Sequence, residues 1–190
     1  MNKEEALEKL EDKNLPLEEV QTIFEMFCDD MHIVGHVAMN LSLRTSVYDR
    51  EKEKSPIMEE LLIKLSDVED MGSRWAVAKN PHTPIHILEK LAKDPVNLVR
   101  ALVATNPNTP SHILQNLFSD EKIVRDGLSG NPNTPIKILK TLADDSDKMV
   151  RMRVAENPSA PIELLKRLIK DPDENVAKAA KANLSKREIA

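Results

Sequence analysis

One phrase, Asn-Pro with a second Pro three residues later, recurs four times in this chain and constrains its fold more than any other feature. It reads NPHTP at 80–84, NPNTP at 106–110 and at 131–135, and NPSAP at 157–161. The steps between copies are 26, 25 and 26 residues. A repeat of this length is typical of arrays in which each repeat is one supersecondary structure and buries its apolar face only against its neighbours.

Each repeat predicts two short helices. Aligned on Asn-Pro, four full repeats span 74–99, 100–124, 125–150 and 151–176. The Pro after Asn ends the first helix, because it disfavours the helical conformation of the residue before it. The Thr before the second Pro is the predicted N-cap of the second helix, with Pro at its first position. This Thr is Thr83, Thr109 or Thr134, and Ala160 replaces it in the fourth repeat.

Both ends of the array have degenerate copies of the repeat. Residues 1–73 hold two of them, through LPLEEVQTIF at 15–24 and HVAMN at 36–40, with an insertion near 41–55 that contains the charged run YDREKEK. Residues 177–190 place Ala177 and Leu184 where Arg and Pro stood, which is typical of a terminal cap. The sequence therefore predicts one continuous all-α domain of about six repeats, the first two degenerate.

The stretch VRALVATNPNTPSHILQNLFSD at 99–120 resembles the leucine-rich repeat variant family. The repeats of that family follow a V-R-x-x-V-A-x-N-P-x-T-P-x-x-x-L-x-x-L-A-x-D pattern. The likeness is strong over 74–176 and weak over 14–73. It implies a HEAT-like, right-handed α-solenoid of α-helices alternating with shorter, often 3₁₀, helices, and a binding scaffold rather than a defined activity. Some members carry an iron–sulfur centre on four cysteines; this chain has only Cys28, so no cluster and no cofactor are expected.

Composition narrows the functional classes. The net charge of −5 argues against a nucleic-acid partner, since such binding relies on neutralising phosphates. A single cysteine and a start without an apolar leader favour a cytoplasmic location, and no run of 18 apolar residues predicts a membrane span. The sequence has no glycine-rich phosphate loop, G-x-S-x-G or H-E-x-x-H motif, so we expect no enzyme.

Two polar residues recur in register and are predicted to be structural. The arginines Arg74, Arg100, Arg125 and Arg151 are expected to pair with an aspartate just upstream, such as Asp94, Asp120 or Asp145. The alternative is a basic stripe for phosphate or an acidic peptide. The asparagines are expected to bond turn backbone. They are Asn80, Asn106, Asn131, Asn157 and Asn183.

Positions that differ between repeats are the candidate partner contacts. Residues that follow the recurrent Arg include Trp75, Leu102, Met152 and Arg153. Trp75 could anchor a partner, since Trp is enriched at interface hot spots, or could cover the join between degenerate and regular repeats. Outward positions of the later second helices lean basic and could suit an acidic partner. They are Lys137, Lys140, Lys166 and Arg167.

Three functions follow from these patterns, and the sequence favours the first. It is a non-catalytic scaffold that binds a protein partner across the repeat surface. The alternative is a nucleic-acid-binding helical-repeat protein, which would need a continuous Lys/Arg stripe. A metal protein or enzyme using Cys28, His32 and His36 is less favoured, although these residues would share a face if one helix held all three.

Overall fold

The computed structural model describes residues 1–44 and 55–188. Within these ranges the chain forms thirteen α-helices and no strand. They are α1 Lys3–Glu11, α2 Leu17–Met26, α3 Met31–Arg44, α4 Pro56–Leu65, α5 Met71–Lys79, α6 Ile85–Leu91, α7 Asn97–Thr105, α8 Ser111–Asn116, α9 Lys122–Gly130, α10 Ile136–Leu142, α11 Lys148–Glu156, α12 Ile162–Leu168 and α13 Glu174–Glu188. The described residues contain no 3₁₀-helix, so the shorter helices are α-helical and not 3₁₀, the form that the family resemblance often implies.

The helices form six pairs, from α1–α2 to α11–α12, followed by α13. This confirms the predicted all-α repeat fold. The second helix of the first pair was recognised through LPLEEVQTIF, but its first helix, α1, was not, because Asp12 replaces the Asn and no Pro follows it. Asp12 nevertheless accepts a hydrogen bond from the Asn14 N–H, as Asn106 does from the Asn108 N–H. An aspartate can therefore stand in for the turn asparagine.

The chain divides into an N-terminal unit, Met1–Val99, and a C-terminal unit, Arg100–Ala190. In the N-terminal unit α3 packs between α1 and α5, and in the C-terminal unit α11 packs between α9 and α13. The second helices α10 and α12 pack against the first helices of their own unit. The predicted single continuous domain and right-handed twist stay predictions.

The core of each repeat is aliphatic and comes from the apolar stripes of both helices. Val77, Leu88 and Leu91 are almost fully buried in the N-terminal unit, as are Leu139 and Val154 in the C-terminal unit. A core built from Leu, Ile, Val and Ala needs few aromatic side chains, which agrees with the aromatic content of 3%. Because each stripe is covered by the neighbouring helices, no pair buries its apolar face alone.

The turn between the two helices differs in detail from the prediction. Five of the six second helices begin one residue after the Pro, so Pro84 is the N-cap rather than the first helical residue. The exception is α4, which begins at Pro56 and has Ser55 as its N-cap. The Thr83 hydroxyl does not cap that helix; it donates to the Val77 carbonyl at 2.6 Å, at the end of the preceding helix. Thr109 and Thr134 make the same bond. The predicted threonine N-cap was therefore wrong: the side chain satisfies a C-terminal carbonyl of the first helix.

Helices without the Asn-Pro pair continue past the asparagine. Leu41 and Leu184 follow Asn40 and Asn183, and α3 and α13 each run on by at least four residues. In both cases an arginine four positions after the asparagine donates Nε to the asparagine Oδ1 and its guanidinium N–H groups to neighbouring turn carbonyls. The predicted insertion near 41–55 lies mostly at 45–54, outside the described residues.

Candidate functional site

The recurrent arginines are internal ties, as predicted, but their partner is a different aspartate. Arg74 Nε lies 2.6 Å from Asp94 Oδ2, and Arg151 Nε lies 2.8 Å from Asp171 Oδ2. The carboxylate is thus twenty residues downstream, in the loop after the second helix, and not just upstream. Arg151 Nη1 also donates to the upstream loop at the Asp145 carbonyl. The guanidinium groups of Arg74, Arg125 and Arg151 thus join the loops on both sides of their helix pairs.

These ion pairs shift the pKa values of their members. The hydrogen bond from Arg100 holds the pKa of the Asp120 carboxyl below its usual value, and the bond from Arg151 does the same for Asp171. The carboxylates in turn raise the pKa of Arg74 and Arg151. The arginine side chains are largely covered, so these guanidinium groups do not form a free basic stripe.

The asparagines form a second internal ladder. Asn131 Nδ2 donates to the carbonyls of Ala104 and Asn106 at 2.7 and 2.9 Å, and its Oδ1 accepts from the Asn133 N–H. Asn157 repeats this arrangement one repeat later with the carbonyls of Ser129 and Asn131. The side chains therefore bond their own turn, as expected, and also the preceding turn. Asn131 and Asn157 are each 1% exposed, so their amide groups are not available to a ligand.

The predicted contacts that follow the recurrent arginine are only partly available. Trp75 is half-buried, and the Lys79 ammonium lies 5.1 Å from its ring centroid. Leu102 and Met152 are half-buried in the C-terminal unit. Arg153 is exposed, but its Nε lies 3.2 Å from Asp126 Oδ2. These positions offer small apolar areas in each unit, and the Arg153 cation is already paired.

The predicted basic positions of the second helices are more accessible. Lys137, Lys140 and Lys166 are exposed and form no ion pair within the described residues. Arg167 is bonded to the exposed Asp144 at 3.2 Å and lies across the hollow between α10 and α12. That hollow has Lys140, Thr141 and Asp144 on one side and Glu163, Leu164 and Arg167 on the other.

Exposed apolar side chains of the same helices were not identified from the sequence as candidate partner contacts. Ile136 and Ile162, each the first residue of its second helix, are 54% and 47% exposed. Ile85 has the same place in the N-terminal unit and is 54% exposed, while α8 has Ser111 there. The recurrence of Ile directly after the second Pro was the available signal. Periodicity alone did not reveal its exposure, because a residue at a helix start can face either way.

The weak metal candidate is not assembled. Cys28 lies in the turn between α2 and α3, and only His32 and His36 belong to α3, so the three do not share one helical face. The two imidazoles lie edge to face with centroids 4.5 Å apart, and His36 Nδ1 contacts the His32 carbonyl. Among the described residues, no group of three His, Cys, Asp or Glu side chains is placed to hold a metal ion.

Of three comparisons with known proteins, one finds a similar solved structure. No protein-family model matches the sequence. No curated protein matches it either. A solved structure described as "a leucine-rich repeat variant with a novel repetitive protein structural motif" is similar at 19% identity and a TM-score of 0.37, covering 90% of this chain and 88% of the other. In the described part of the chain, no helix is both long and apolar enough to cross a membrane.

Proposed function

We propose that the protein is a non-catalytic scaffold that binds a protein partner through its repeat surface. One observation carries the proposal: the polar side chains that recur in the regular repeats form internal hydrogen bonds and ion pairs, whereas most exposed polar positions differ between repeats. Arg151 and Asn157 are examples of the first class, and Lys137 and Glu163 of the second. The exposed residues of such a repeat can vary while the helix packing stays the same, which suits binding of a partner rather than catalysis.

The described hollows support binding without catalysis. The hollow between α10 and α12 is open, and its titratable groups are exposed rather than enclosed with a nucleophile or a general base. The proposal includes a cytoplasmic location, because a chain with a single cysteine forms no internal disulfide and suits a reducing compartment.

Affinity capture with the full chain tests this function. Three variants are compared with the wild type: W75A/L102A/M152A, K140E/K166E and, as a control on another helix, K181E/K186E. We expect at least one protein to be retained by the wild type and the control and lost from one of the first two variants, with all chains equally helical by circular dichroism. Recovery of nuclease-sensitive nucleic acid in place of protein, or the same proteins on every variant, would reject the proposal.

A further inference from the structure

Some charged side chains of the C-terminal unit form ion pairs within the unit, and others form none. This unit has fifteen Lys and Arg against twelve Asp and Glu, whereas the N-terminal unit has twelve against twenty, so their net charges are +3 and −8. All seven aspartates of the C-terminal unit lie within 3.2 Å of a Lys or Arg nitrogen. The structure therefore neutralises these aspartates from within, and the surplus of cations stays at the surface.

Much of the surplus lies on α10, on α12 and in the turn after α12. Lys137, Lys140, Lys166 and Lys170 are exposed there without an ion pair in the described part of the chain. Glu163 is the one carboxylate on these two helices, and Asp144 beside them is already bound to Arg167. The exposed face of α10 and α12, which we call the basic face, thus attracts a negatively charged partner.

The basic face also has apolar contacts in register with its cations. Ile136 and Lys140 are four residues apart on α10, and Ile162 and Lys166 have the same places on α12. Residues four apart lie on the same side of a helix. The face therefore has a row of two lysines beside a row of two exposed isoleucines. The row ends at α8, where Ser111 and Gln115 occupy these places.

We propose that the basic face binds an extended acidic peptide segment with an acidic side chain at every third residue, a partner chemistry that rests on the proposed scaffold function. Arg167 on α12 binds Asp144, which follows α10, so the two helices are neighbours. Packed helices lie about 8–10 Å apart, and a polyproline II chain advances about 9 Å over three residues while returning to the same face. Acidic residues at this spacing meet Lys140 and Lys166, and an apolar residue beside each meets Ile136 and Ile162.

A protein segment fits this face better than a nucleic acid. Exposed isoleucines next to the lysines offer apolar area that a phosphate backbone does not use. Neither α10 nor α12 contains an aromatic side chain on which a base could stack. The face is also only two repeats long, which matches a short segment and not a long charged strand.

Fluorescence anisotropy with the full chain tests the proposal directly. The probe is a labelled (Glu-Pro-Leu)4 peptide, compared with a peptide of the same composition that has its glutamates clustered and with a labelled twelve-residue oligothymidylate. We expect (Glu-Pro-Leu)4 to bind more tightly than the other two. K140E/K166E should weaken it about tenfold, since two attractions become repulsions, and I136S/I162S, which copies Ser111, should weaken it several-fold.

The control variant K181E/K186E makes the same change in net charge on α13, where both lysines are also exposed. It should leave the affinity for (Glu-Pro-Leu)4 within twofold of the wild type. An equal loss in K181E/K186E, equal binding of the clustered peptide, tighter binding of the oligonucleotide or no binding of any probe would overturn the proposal. Affinity capture distinguishes this failure from failure of the scaffold function. If a protein is retained by the wild type and lost from W75A/L102A/M152A, the scaffold function stands and only this partner chemistry fails.

Discussion

Two asparagines in one turn allow the cost of a buried hydrogen bond to be separated from that of an exposed one. Asn131 and Asn133 each donate two bonds from Nδ2 to carbonyls of the preceding turn, at 2.7 and 2.9 Å and at 2.7 and 3.1 Å. Asn131 is 1% exposed, whereas Asn133 is exposed. Replacing either by alanine removes two donated bonds, from surroundings that differ in access to water, and Asn131→Ala also removes the Oδ1 that accepts from the Asn133 N–H.

We expect Asn131→Ala to lower the free energy of unfolding by about 3 kcal/mol and Asn133→Ala by less than about 1 kcal/mol. The two buried bonds that Asn131 donates are worth about 1 kcal/mol each, and an acceptor left unsatisfied in the interior costs about 1–3 kcal/mol more, whereas water replaces most of what the exposed Asn133 donates. Ala104, one of the acceptors of Asn131, is fully buried, while the Asn106 carbonyl keeps its bond from the Thr109 N–H. Only one carbonyl thus loses its described partner in the interior.

Urea unfolding followed by far-ultraviolet circular dichroism measures this difference. With a slope of about 2 kcal/mol/M, the midpoint should fall by about 1.5 M for Asn131→Ala and by less than about 0.5 M for Asn133→Ala. Should the two units unfold in separate steps, the shift belongs to the transition of the C-terminal unit. Equal midpoints for the two variants would contradict the reasoning, because burial would then not set the cost.

Two further predictions concern close packing and pH. Gly127→Ala should destabilise the protein by about 1–3 kcal/mol, since its Cβ would lie 2.9 Å from the Ala101 carbonyl oxygen. Gly35→Ala, whose Cβ would have no atom within 4 Å, should stabilise it by about 0.5–1 kcal/mol. Thermal melts of both variants give the two signs, and a stabilised Gly127→Ala would show that α7 and α9 can move apart. The pKa of Asp171 is lowered by Arg151, so its contribution is present above the ordinary carboxyl pKa near 4 and is lost as the pH falls through the lower folded value. Asp171→Asn should therefore lose less stability than the wild type between pH 5 and pH 2 in urea titrations, and parallel losses would place the acid sensitivity elsewhere.

The repeat phrase was sufficient to predict the helix pairs, because Pro acts on the backbone next to it wherever it occurs. It was not sufficient to assign the bonds of the turn. Thr83 precedes a helix and therefore suggested an N-cap, yet its hydroxyl reaches back to the Val77 carbonyl. The direction of a side chain in a turn depends on which buried backbone group lacks a partner, and spacing along the chain does not contain that information.

By itself the sequence determined the period and the aliphatic core, since these depend on residue type and local backbone preference. Only the tertiary structure decided that Arg151 binds Asp171 rather than the Asp145 carboxylate, and that Ile136 stands exposed beside Lys140. Both outcomes depend on how neighbouring helices and loops stack. That stacking separates the charges that hold the repeats together from those that remain exposed at the surface.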